Sequence, residues 1–261
     1  MFLPNPNAAV EAARSFYTDW TFWSFVVAAI ALIASLWVPV RRFLKATRLI
    51  LEVHPRIALD HTFGNPQANL YMDLRNTGGR DVRVNEITMT VTRDGSEVRE
   101  IPGQVYFEKT SSQEPLLLVP FNIQASDSWA HPVKFYALPG RQLDQKIRKN
   151  ISDLRSDIDK KREAMGKEVS KTTAAIADEM LVRPLVELFN SQFFWKAGEY
   201  AITLNVLAEP LSGSLTRRFR FVVYESEAAD LAVEVEDYKY GGGVYYQSSK
   251  HASIFPPIAA G

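Results

Sequence analysis

Apolar positions follow three different rhythms along this chain. The first has no polar phase: from Trp20 to Val40, WTFWSFVVAAIALIASLWVPV, no charge occurs between Asp19 and Arg41. As a helix these residues span about 31 Å, against a bilayer hydrocarbon core of about 30 Å. Trp20, Phe22 and Trp23 at one end and Trp37 at the other sit where interfacial aromatic belts form, and Pro39 stands where a helix can end. A transmembrane helix over 20–40 is the expectation. A signal peptide is the rival, but Glu11, Arg14 and Asp19 precede the run and no small-x-small cleavage site follows it. A buried helix of a soluble protein is the other alternative.

The second rhythm has period two. Leu70, Met72 and Leu74 alternate with Tyr71, Asp73 and Arg75 up to the turn signal Asn76-Thr77-Gly78-Gly79. Val82 and Val84 keep one phase and Ile87, Met89 and Val91 the other, so a β-bulge is expected near Asn85-Glu86. Asp94-Gly95 predicts a hairpin turn returning through Ser96 to Ile101. Leu116–Ile123, Val133–Ala137, a strand with Ile202, Leu204 and Val206, and one with Phe219, Phe221 and Val223 extend the pattern. Ser212-Gly213-Ser214 reads as the turn between the last two. Seven or so short strands predict a mainly β fold, an antiparallel sandwich over 49–138 and 195–238.

The third rhythm interrupts the strands over 139–194. Ile147, Ile151, Leu154, Ile158, Met165 and Val169 step by threes, fours and sevens, a heptad-like stripe that Ile176 and Met180 continue. The stripe predicts a long helical insertion, either one helix or a hairpin bent near Gly166, with an interaction surface for a partner or a second copy; simple packing against the sandwich is the alternative. Leu185–Trp195, LVELFNSQFFW, is expected to dock the insertion on the sandwich. Residues 1–19 read as an extracytoplasmic tail, 41–48 as a basic juxtamembrane linker, and 239–261, opened by Gly241-Gly242-Gly243, as a flexible tail, with packing of its aromatic end into a neighbouring groove as the alternative.

A strand ending in Asn76-Thr77-Gly78, followed by Asp81-Val82-Arg83-Val84, and the Gly198-Glu199-Tyr200 entry to a late strand resemble immunoglobulin-like and fibronectin-like β-sandwich domains. The resemblance covers about residues 49–138 and 195–235. It implies a tyrosine corner at Tyr200, whose hydroxyl would bond back to nearby backbone. The chain departs from the family in having no Cys pair and no assignable core Trp, and the likeness carries no ligand.

Charge then orients the molecule. Thirty Lys and Arg balance thirty Asp and Glu, so bulk charge favours neither nucleic acid nor an acidic partner. Locally, Arg41, Arg42, Lys45 and Arg48 follow the apolar run and only Arg14 precedes it. The positive-inside rule therefore puts the carboxyl side in the cytoplasm of a bacterial inner-membrane protein, which suits the absence of Cys. The same four residues are placed to touch anionic headgroups. Within the span, Ser24, Ala28, Ala31 and Ser35 share one helix face, a small-residue seam suited to self-association in lipid.

Candidate chemistry changes little. His54, His61, His131 and His251 lack a metal-ligand spacing, and no G-x-S-x-G, P-loop or G-x-G-x-x-G occurs. Glu234 and Glu236 read as a solvated strand edge. The insertion's polar face mixes both signs, which suits a solvated helix or protein seam better than nucleic acid or a nucleotide. No cofactor is expected. The leading expectation is a non-enzymatic single-pass inner-membrane protein, a homo-oligomer, whose cytoplasmic sandwich and insertion bind a protein partner or small ligand. The alternative is an oligomeric channel or pore-type effector gated by the cytoplasmic domain: the small-faced span with a cytosolic sensing domain is similar in layout to transmembrane effectors of bacterial antiviral defence.

Overall fold

Leu70, Met72 and Leu74 are fully buried and Tyr71 is exposed, as strict alternation on a half-buried strand requires. A computed structural model describes residues 20–44, 46–109, 114–165 and 175–261 of the chain. It places these residues in β3 (Asn65–Asn76) of a mainly antiparallel sheet. β1 (Leu49–Val53) and β2 (Ala58–Thr62) pair in succession along one edge of β3, and β8 (Ser128–Tyr136) pairs along the other. β8 continues to the second half of β5 (Glu97–Tyr106), whose first half pairs with β4 (Val82–Arg93). Beyond β4 come β9 (Gly198–Glu209) and β10 (Leu215–Val223). Two short strands, β6 (Leu116–Leu117) and β7 (Phe121–Ile123), line β5 and β4.

One continuous path of strands thus curls into a half-barrel, and the two-sheet immunoglobulin sandwich is not clearly its architecture. The curl has a local cause. β5 serves both halves, passing from β4 to β8 at Pro102-Gly103 with a register shift between Gly103 and Val105, the kind of bend by which a strand turns a corner. The bulge expected near Asn85-Glu86 is present as the shift between Val84 and Glu86 against β9. The inner faces share one apolar core, in which Leu59, Leu70, Met72, Leu74, Met89, Val133, Phe135, Ile202 and Leu204 are fully buried. Each Leu so removed from water contributes about 1.5–3 kcal/mol.

Two expectations about the surrounding segments change. The insertion is two helices, α2 (Arg141–Ala164) and α3 (Glu179–Gln192); with α1 (Trp20–Leu44) preceding the sheet, the bend expected near Gly166 lies outside the described residues. Leu154 and Ile158 of the stripe are fully buried against Leu185, Phe189 and Tyr238, with Ile147 and Ile151 half-buried beside them. The stripe from Ile147 to Ile158 is therefore an internal seam, while Met165, Ile176 and Met180 are exposed. Asp157 ties the helices together, accepting from the Asp178 backbone N–H and the Lys161 ammonium, both at 2.8 Å.

The segment 239–261, read as a flexible tail, is instead a strap. Leu59 and Ile254 exchange backbone hydrogen bonds of 2.9 and 3.1 Å, Ile258 N–H donates to Pro55 O, and β11 (Ala259–Ala260) pairs with β10. The strap joins the β1/β2 edge to the β10 edge. Between β10 and the strap lie α4 (Glu225–Ala232) and a 3₁₀ segment, Val233–Tyr240.

The stripe's burial sets its test. Leu154→Ala should lower the unfolding free energy of the full chain in detergent by about 2–4 kcal/mol, read as an earlier urea midpoint. Met165→Ala, at a residue 47% exposed, should stay within about 0.5 kcal/mol.

Candidate functional site

None of Trp20–Trp37 in the apolar helix α1 is buried, and the stretch is long and apolar enough to cross a membrane. Ser24, Ala28 and Ala31 lie together on one face beside Trp20, Trp23 and Val27, the seam expected from spacing. The Ser24 hydroxyl donates to Trp20 O at 3.0 Å, so its polarity is already satisfied within the helix. Ser35 is exposed on the same helix. Arg41 and Arg42 fall in the last turns of α1, Arg48 is exposed just before β1, and Lys45 and Val169 lie outside the described residues, as does the tail 1–19.

The linker that follows is gripped by the β-domain. Thr77 N–H donates to Arg48 O at 2.9 Å, and the Thr77 hydroxyl reaches the same carbonyl. Gly78 is glycine because of the linker: a Cβ there would stand 2.7 Å from Ala46 O and 2.8 Å from Arg48 N. Asn76, fully buried, holds this corner, donating from Nδ2 to Arg80 O, Ile123 O and Gln124 O and accepting from Gly78 N–H.

A cleft of about 440 Å³ opens where the insertion meets the sheet. Its walls are Val98–Ile101 of β5, Ala137–Pro139 after β8, Asn65-Pro66, and Ser191-Gln192 at the end of α3. Val98 is 58% and Leu138 67% exposed at its rim, and the Arg99 guanidinium lies 5.9 Å from the Phe194 ring centre. The cleft exists because β8 leaves β5 at Gly103: among the described residues no strand pairs with the second edge of Glu97–Ile101. An unpaired strand edge in a cleft with apolar rims can accept an extended segment by adding its backbone to the ladder.

No protein-family model and no curated protein matches this chain. Functional reading therefore rests on its own geometry.

The second polar cluster is tied up in structure. His61 is buried between the Phe189 and Phe193 rings, its Nε2–H donating to Leu231 O at 2.7 Å and Nδ1 accepting from Gly64 N–H. Glu234, read from sequence as solvated, is buried on the 3₁₀ segment and lies 3.1 Å from Nδ1 of His251. Gly243 closes over that carboxylate, leaving no room for a Cβ. Sequence periodicity carried no signal for this pair, since it arises only when the strap folds back.

The Tyr200 hydroxyl bonds back to nearby backbone. It lies 2.7 Å from Lys196 O and 2.9 Å from Phe194 O, and burial pushes its pKa upward. Trp195 is fully buried against Tyr200 with its Nε1–H donating to Asp60 O. Leu185–Trp195 docks the insertion as expected, through Leu185, Phe189, Phe194 and Trp195. Val98, Leu138 and Leu211, all exposed, were not singled out by periodicity; the last two flank a proline, where an apolar residue in a turn was the available clue.

Burial holds the His61 imidazole below its usual pKa, so the folded protein keeps it neutral where the unfolded chain, titrating near 6.5, takes up a proton. Its contribution to stability is complete above about pH 6.5 and is lost as pH falls below that value. Urea midpoints of the full chain should drop between pH 7.5 and 5.5, and His61→Gln should reduce that drop, by at most about 1.4 kcal/mol per pH unit.

Proposed function

We propose that this is a non-enzymatic, single-pass bacterial inner-membrane protein whose cytoplasmic β-domain binds a partner at the cleft between β5 and the end of α3, working as a homo-oligomer. One observation carries the membrane half of the reading: a 25-residue helix in which none of the apolar stretch Trp20–Trp37 is buried. A bilayer is the surrounding that removes this surface from water. Arg41, Arg42, Lys45 and Arg48 against Arg14 support a cytoplasmic β-domain and an outside amino terminus.

For the binding half, the interaction surface moves from the stripe to the cleft, because Leu154 and Ile158 are spent on internal packing. The partner of best fit is an extended polypeptide segment with an apolar side chain to set between Val98 and Leu138.

The second reading is the oligomeric channel-type effector. It is favoured by the face Ser24, Ala28 and Ala31, which is narrow, small and uncovered. Its cytoplasmic domain would gate the span, with the cleft as the sensing site.

The chain has no Cys, so single introduced thiols report cleanly. Asn5→Cys should react with an impermeant maleimide in intact cells and Ser96→Cys only after permeabilisation; the reverse pattern overturns the orientation. Val98→Asp with Leu138→Asp should abolish in-cell crosslinking to a partner while leaving the urea midpoint within about 0.5 kcal/mol of the parent; undiminished crosslinking removes the cleft from the proposal. Ala28→Leu with Ala31→Leu should lower the mass of the detergent-solubilised complex, and membrane depolarisation that disappears with it would select the channel reading.

A further inference from the structure

Four strands of the half-barrel share an outward face. β5, β4, β9 and β10 are neighbours in the sheet, and their inward residues, among them Met89, Val91, Ile202 and Leu204, are buried in the core. The alternate residues point outward. Register sets them in rows across the strands: Glu100, Thr90, Thr203 and Arg218 form one row, and Val98, Thr92, Ala201 and Arg220 the next.

The chemistry of these rows changes from edge to edge. In the middle, β4 and β9 carry half-buried Thr and Ala; at the edges β5 carries Glu100 and β10 carries Arg218 and Arg220, all three exposed. Among the described residues neither Glu100 nor Arg218 has an ion-pair partner. Within one chain the two stand three strand spacings apart, about 14 Å, so neither neutralises the other.

A face of this kind is complementary to itself. A two-fold axis running along the strands between Thr90 and Thr203 lays the face on a copy of itself, with Glu100 of each copy opposite Arg218 of the other and Thr90 opposite Thr203. The outside of a half-barrel is convex, so two copies come closest at the middle and diverge toward β5 and β10. Side-chain length follows that gap, with Thr and Ala where it is narrow and Arg and Glu where it is wide. The same axis leaves both linkers at one end, because Gly213, between β9 and β10, lies against Thr47 and Val82, and Val82 is where β4 begins. Two copies anchored in one membrane require that arrangement.

The face measures about 19 Å across its four strands and about 30 Å along β9, roughly 1,100 Å² for the pair, at the lower end of stable interfaces. Confinement of both copies to one membrane raises their effective concentration, which favours a contact of this size.

We infer that the outer face of β5, β4, β9 and β10 is a two-fold interface between two copies of this chain, closed by Glu100–Arg218 pairs on either side of a Thr-lined centre. This rests on the homo-oligomer reading and gives the oligomer a contact in the β-domain, separate from the α1 seam.

The test uses the full chain in native membranes, with single Cys variants and a short bismaleimide that spans about 10 Å, the separation of packed sheets. Thr90→Cys, beside the axis, should give a crosslinked dimer, and Tyr71→Cys, exposed on β3, should give none. In the Thr90→Cys background, Glu100→Arg and Arg218→Glu should each lower the crosslinked fraction at least about threefold, and the two together should restore most of it. Restoration cannot arise inside one chain, where these residues are about 14 Å apart. If either single variant crosslinks undiminished, or the double variant no better than the singles, the two-fold pairing is overturned. Equal crosslinking at Tyr71→Cys and Thr90→Cys overturns the choice of face. A detergent-solubilised complex heavier than one chain, with no crosslinking at Thr90→Cys, overturns the sheet interface and leaves the homo-oligomer standing; a monomeric mass with no crosslinking removes both.

Discussion

A curled sheet that stops short of closing leaves a row of unpaired backbone donors and acceptors at each end, and that constraint organises everything after β10. In this chain the rows belong to the β1/β2 edge and to β10. Neither can be left to solvent without offering a template for another chain. The carboxyl-terminal strap covers part of each, with Ile254 on Leu59, Ile258 on Pro55, and Ala259-Ala260 on β10. To arrive there it must turn back at Gly241–Gly243 and be held, which the buried Glu234 facing His251 accomplishes. The helical insertion then has a floor to pack on: Tyr238 of the 3₁₀ segment meets Phe63 and Phe189, and Ala177 N–H donates to Lys239 O.

The aromatic joint beneath the insertion shows why the two layers cohere. Phe194 and Trp195 leave α3 and enter the core directly, Tyr200 begins β9 six residues after Phe194, and Phe221 lies flat on Tyr200 with ring centres 5.0 Å apart. The Tyr200 hydroxyl binds the backbone of the very turn that delivers it. Insertion, β9 and β10 are thereby registered to one another by a few side chains. A polar group so buried is tolerated only with its partners present, so the corner specifies geometry as well as adding stability.

How much of this was legible in the sequence divides along physical lines. Features set by local periodicity were readable: the alternation of β3, the phase slip at Val84–Glu86, the Asp94-Gly95 turn, the apolar run of α1. Tyr200 was readable by analogy. Features set by long-range packing were not. A stripe such as Ile151, Leu154 and Ile158 has the same spacing whether it faces a partner or the chain's own Tyr238, and only the fold of the carboxyl-terminal residues decides. Glu234 alternates with Glu236 as solvated residues do, yet a 3₁₀ turn and an approaching His251 bury one of the two. The cleft is a negative feature, the place where β8 leaves β5, and no residue pattern marks an unpaired edge.

The grip on the linker connects these observations to the span. The β-domain holds the chain from Ala46 onward through Gly78 and Thr77, which leaves one residue of sequence, Lys45, between that grip and the end of α1. Helices that associate through small residues approach with axes about 8–10 Å apart or less. If α1 pairs through Ser24, Ala28 and Ala31, the β-domains, each several times wider than a helix and held within two residues of its end, must be arranged around the same axis. A change in domain packing, such as a segment entering the cleft at β5, would then act on the helices with little slack to absorb it. Under that pairing the small face, the gripped linker and the open strand edge would lie along one mechanical path.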